Sequence, residues 1–113
     1  MLSATGWWLA VAPVDLRCGM DRLLVTVGEV LGQDVRAGGA FVFRNRAGTR
    51  IKVLCVDAHG VWLSTRRLHQ GRFHWPRAGD GAWALTPEQF GWLIAGVDWQ
   101  RLSTQLMALP KLI

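Results

Sequence analysis

Acid is in short supply in this sequence. Eight Asp and Glu face thirteen Lys and Arg in 113 residues, a net charge of +5 with a pI near 10.6, a surplus that favours polyanionic partners. The acids are also scattered. Asp15, Asp21, Asp34, Asp80, Glu88 and Asp98 fall mostly at turns and helix starts, so the grouped carboxylates that two-metal chemistry requires are missing. Asp57, at the end of the apolar run Val53-Leu54-Cys55-Val56, is the best catalytic candidate, and its expected role is to shape its own turn.

Cysteine is scarcer still. Cys18 and Cys55 belong to no CxxC pair and sit near no histidine at ligand spacing, so both are expected to be reduced thiols in a cytoplasmic protein. His59, His69 and His74 do not combine with them into a metal-ligand pattern, and Cys55 lies inside an apolar strand, where a thiol is inert. No metal and no cofactor are expected. There is no Gly-rich phosphate loop and no apolar run near the roughly 18 residues of a membrane span. Residues 1–17 show no basic segment of a secretory leader. Repeats and low-complexity stretches are also lacking, and the organisation expected is a single α+β domain over residues 1–100 followed by a tail, 101–113.

Half of the residues are apolar, and their spacing gives the elements. Trp7 to Val14 is a short run interrupted by Pro13, a strand at an edge or one that ends there. Leu16, Met20, Leu23, Leu24, Val27, Val30 and Leu31 recur at helical spacing, with Gly32 placed to close the helix. From Ala40 the period becomes two. Loops at Asn45 to Thr49 and at Ala58-His59-Gly60 would make two hairpins, with Gly60 left-handed. This register sets Arg44 opposite Arg50, Val42 opposite Lys52 and Lys52 opposite Arg66. Arg44, Arg50, Lys52 and Arg66 then share one face, mixed with Trp62, and Phe41, Phe43, Ile51 and Val53 the other. RFHWP and GAWAL read as further strands. Thr86-Pro87-Glu88-Gln89 has the form of a capping box opening a helix to about Ala95. The fold expected is α+β: an antiparallel sheet of four to five strands with two main helices packed on one face.

The chemistry-bearing feature is the basic hairpin. Arg44, Arg46, Arg50, Lys52 and Arg66, extended by Arg67 and Arg72 and interleaved with Trp62, form a pattern suited to phosphates and bases. A solvated polar face is the plain alternative.

Asp15-Leu16-Arg17-Cys18-Gly19-Met20-Asp21, the block FVFRNRAGTRIKVL, Asp57 with Gly60, Arg67-Leu68, GRFHWP and LTPEQF together resemble the TnpB-type accessory proteins of bacterial insertion sequences of the family numbered 66, over about residues 6 to 99. At Cys18, Arg22, Cys55, Val56 and His69 the sequence departs from that pattern. The resemblance implies a non-catalytic helper in transposition of a mobile element, encoded beside the transposase and distinct from the RNA-guided nuclease that shares the short name. It implies as partners the transposase and other element-encoded proteins, and makes DNA a candidate partner. Two readings of the basic face stay open: contact with DNA, or docking onto an acidic protein surface.

Overall fold

The computed structural model describes residues 6–77 and 81–108. Five strands form one mixed sheet in the order β4-β3-β2-β1-β5: β1 (Trp7–Ala10), β2 (Gly39–Arg44), β3 (Arg50–Val56), β4 (Val61–Arg67) and β5 (Ala82–Leu85). Helix α1 (Met20–Val30) and a 3-10 turn, Val35–Ala37, carry the chain from β1 to β2, which run parallel. The remaining pairs are antiparallel, so the α+β class expected from the sequence is what forms, and the sheet, expected to be antiparallel, is mostly so, with β1–β2 as its parallel pair. β1, although interrupted early as its proline suggests, is not an edge strand; it lies between β2 and β5.

Helices cover both faces. On one, Leu23, Val27 and Leu31 of the α1 stretch pack with Phe41, Phe43 and Leu54. On the other, Phe90 and Leu93 of α2 (Pro87–Ile94) and Trp99 of α3 (Trp99–Ala108) pack with Trp7, Leu9, Val42 and Ile51. This corrects the one-faced arrangement expected. The cause is visible in β2, where Phe41, Val42 and Phe43 are all buried: a strand sandwiched between two layers is apolar on both sides.

The helix boundaries follow their local chemistry. α1 starts at Met20, later than the apolar stripe, because Leu16 is buried in the preceding turn. It ends at Gly32, whose φ of 62° is the left-handed conformation that glycine adopts freely. α2 opens with the expected capping box: Thr86 Oγ1 accepts from the Gln89 N–H at 3.1 Å, and Gln89 Oε1 accepts from the Thr86 N–H at 2.9 Å. Residues 72–76, expected as a strand, are irregular. They lie under the α2 and α3 layer, held by Phe73 N–H on the Gly48 carbonyl and Trp75 Nε1 on the Ala10 carbonyl, each at 2.8 Å. Asp80 and residues 109–113 of the expected tail lie outside the described residues.

Both hairpin registers differ by one residue from the sequence expectation. Arg44 pairs with Ile51 and Phe43 with Lys52; Ile51 pairs with Arg66 and Lys52 with Thr65. Asparagine and aspartate side chains set this register. Asn45 Oδ1 accepts from the N–H groups of Thr49 and Arg50, and Asn45 N–H reaches the Arg50 carbonyl. The first loop is therefore Arg46–Thr49. Asp57 Oδ1 accepts from the N–H groups of His59 and Gly60, at 2.8 and 2.9 Å, while Asp57 N–H donates to the Gly60 carbonyl. The second loop is thus Ala58-His59. Gly60 is absent from the glycines with positive φ, because the Asp57 side chain closes the turn without a left-handed residue.

Candidate functional site

The corrected register divides the basic residues. Cross-strand partners share a face, so Arg50, Lys52 and Arg67 lie on the α1 side with Phe43 and Leu54, whereas Arg44 and Arg66 lie on the opposite side with Ile51 and Trp62. The common face predicted for Arg44, Arg50, Lys52 and Arg66 does not exist.

Arg44 is a structural strut. Its guanidinium donates to the Val11 carbonyl from Nε and Nη2, at 3.4 and 3.3 Å, and to the Arg46 carbonyl at 3.4 Å. It also lies 5.9 Å from the centre of the Trp75 ring. Burial first, then the charge of Arg46, holds its pKa below the ordinary arginine value.

Arg50 and Arg67 are directly opposite each other. Thr49 and Leu68, the next pair outward, are hydrogen-bonded, so alternation makes Arg50 and Arg67 a non-bonded pair, the kind whose side chains approach closest. Like charges so placed cost stability. Among the described residues the ion pairs are Asp15–Arg17 and Asp34–Arg36, with His74–Asp98 a third only when the imidazole is protonated, and none involves Arg46, Arg50, Lys52, Arg66, Arg67 or Arg72.

Beside Arg50 a groove of about 590 Å³ runs between the first hairpin loop and the turn that follows β1; Arg46, Arg50 and Lys52 line one side and Val14, Asp15 and Arg17 the other. Lys52 reaches across it, Nζ donating to the Cys18 carbonyl at 3.4 Å. Asp15 does not neutralise the hairpin, because it is engaged by Arg17. The Arg17 Nε and Nη2 groups meet its two carboxylate oxygens at 2.9 and 2.8 Å, and the Arg17 N–H adds a third contact at 3.0 Å. These hydrogen bonds lower the Asp15 pKa to about 2. The groove is therefore lined by one self-contained ion pair and three cations that have no acidic partner among the described residues.

The other expected residues are dispersed. Arg66 borders an apolar trough of about 380 Å³ on the opposite face, floored by Ile51, Val53 and Phe90. Trp62, 58% exposed, is on that same face, so it cannot stack a base bound over Arg50 and Lys52. Arg72 lies against the first loop, close to Gly48. The sequence reading missed the Val14–Arg17 wall of the groove. Its signal was there: Asp-x-Arg recurs at Asp34 and Arg36, where the same side-chain and backbone contacts form.

Asp57 is committed to its turn: the two backbone N–H groups that it accepts lower its pKa. Burial, then the Asp57 charge, raises the pKa of Cys55, which disfavours its thiolate. Among the described residues no group of three potential ligands could hold a metal ion, and no helix is long and apolar enough to cross a membrane.

The family profile described as IS66 Orf2 like protein matches residues 5–104. The chain belongs to the IS66 Orf2-like family. This supports an accessory role in transposition of an insertion sequence, and the family is not a known catalytic one. Two relatives in Sinorhizobium fredii carry the names uncharacterized protein y4hO and uncharacterized protein y4jC. The first is 44% identical over 93 residues, covering 82% of this chain and 81% of that protein. The second is 39% identical over 102 residues, covering 90% and 87%. No solved structure gives a significant match. In the IS66 Orf2-like chain the FVFRNRAGTRIKVL block is thus the first hairpin itself, and it brings Arg46, Arg50 and Lys52 to one wall of the groove.

Proposed function

We propose that this IS66 Orf2-like protein is a non-catalytic transposition accessory that contacts the phosphate backbone of DNA. The contact surface is the α1-side groove of Arg46, Arg50 and Lys52, continued by Arg67. The observation that carries the reading is the direct opposition of Arg50 and Arg67 beside Lys52, with no acid paired to any of them among the described residues. An unneutralised cluster of this kind is unfavourable to the fold alone, and a phosphate diester relieves the repulsion by supplying oxygens between the two guanidinium groups. Arg44 takes no part, since its donors are spent on Val11 and Arg46. The element's transposase would share the DNA with it.

Charge reversal tests the assignment. Fluorescence anisotropy with labelled duplex and single-stranded DNA should show binding by the native protein and its loss in the R46E/R50E/K52E variant. Reversal of exposed Arg101, in α3 on the opposite layer, should leave it intact. Equal binding by the native and triple-reversed proteins would defeat the proposal. Absence of DNA binding combined with nuclease-resistant copurification of the transposase would favour the protein-docking reading instead.

A further inference from the structure

β4 is an edge strand of seven residues. An edge exposes unpaired N–H and C=O groups and invites another strand unless something protects it. The strand has no proline, and among the described residues no element covers it: Trp62 and residues 64–67 are exposed. The hydrogen-bonded pairs Asp57–Gly60 and Thr49–Leu68 fix which groups remain free. By alternation the even residues from Gly60 to Leu68 bond inward to β3, and Val61, Leu63, Thr65 and Arg67 point their backbone groups outward.

We propose that β4 pairs antiparallel with β4 of a second copy, giving a two-fold dimer with one continuous sheet. The strand is complementary to itself in a single register, centred on Ser64. There Val61 meets the partner's Arg67 and Leu63 meets the partner's Thr65, so every outward-pointing backbone group finds a mate. Trp62 then faces the partner's Arg66 as a non-bonded pair, the closest kind. An Arg guanidinium over a Trp ring is a favourable contact, and the two-fold makes it twice. Arginine opposes no arginine in this register. Shifting it by two residues either way leaves outward groups at one end unpaired and removes the Trp62–Arg66 contact.

Because the axis stands perpendicular to the sheet, both α1-side grooves come to the same side of the dimer. This consequence does not depend on what the grooves bind.

Sedimentation velocity over a wide dilution series tests the proposal, with circular dichroism to verify folding. The native protein should show a concentration-dependent monomer–dimer equilibrium. T65P should be folded and monomeric, because residue 65 gives nothing to the β3 ladder and proline is tolerated at an edge whose N–H faces away. W62E should still dimerise, since a carboxylate can meet the partner's Arg66, whereas R66E should weaken dimerisation at least tenfold by losing that cation. The proposal is overturned if the native protein is monomeric at every concentration, as it would be if the edge serves a strand of another protein. A folded T65P variant that dimerises like the native protein overturns it equally, and so does W62E dissociating to monomer.

Discussion

Arg44 and Arg50 stand six residues apart in one basic hairpin, yet their replacement should have opposite consequences. Arg44→Ala removes the side-chain donors to the Val11 and Arg46 carbonyls and the contact 5.9 Å from the Trp75 ring. The hydrogen bonds are long, 3.3 to 3.4 Å, which places them at the weak end of the charged range, about 1.5 kcal/mol in all. The ring contact adds about 0.5 kcal/mol. A loss of about 2 kcal/mol corresponds to a fall in Tm of roughly 8 °C for a domain of this size. Arg50 is exposed and opposed by Arg67, so Arg50→Ala should change stability by no more than about 0.5 kcal/mol, and toward greater stability as the repulsion is removed. DNA binding should reverse the order, with Arg50→Ala the more damaging. Differential scanning calorimetry and anisotropy on both variants check this. The reasoning fails if Arg44→Ala keeps the native Tm, or if it weakens DNA binding as much as Arg50→Ala does while remaining folded.

Thr86→Ala removes the side-chain half of the capping box and should cost about 1 kcal/mol, read as a lower urea midpoint at unchanged slope. Trp99→Phe should cost about 2 kcal/mol in the same assay, because Trp99 is buried and its Nε1 donates to the His74 carbonyl at 2.8 Å, an acceptor the change leaves without that bond. The Asp15 carboxyl, followed by NMR, should titrate near pH 2 and return toward 3.8 in Arg17→Ala. Since its pKa is lower in the folded state, whatever stability the pair contributes is present above pH 3.8 and lost as pH falls toward 2. An Asp15 midpoint unaffected by Arg17→Ala would contradict the chelate.

What was legible in the sequence was what local chemistry decides alone. The Thr86 to Gln89 cap, the Gly32 stop and the existence of both hairpins belong to this class. Register was not legible, because parity arguments need a strand with one polar face. β2 is buried on both sides, and Val53 and Leu54 of β3 are both buried, so a one-residue shift produces no obvious penalty in the pattern. The information lay in the turns. Asn45 and Gly48, and likewise Asp57 and Gly60, share an Asx-x-x-Gly spacing, and the side-chain oxygen of each Asx residue accepts two backbone N–H groups that fix the pairing. That single residue of shift separated Arg44 and Arg66 from Arg50 and Lys52 and moved Arg67 into the cluster. The groove depended further on the Val14–Arg17 turn being carried against the hairpin by the parallel β1–β2 pairing, a long-range contact that hydrophobic period does not reveal.

The central claim is that Arg46, Arg50, Lys52 and Arg67 act together on phosphates. It is tested most directly by the slope of log affinity against log salt for duplex DNA, measured for the native protein and for Arg50→Ala. Four neutralised phosphates predict a native slope of about −3.6, and loss of one contact predicts a slope shallower by about 1. A native affinity indifferent to salt, or a slope unchanged in Arg50→Ala, would contradict it.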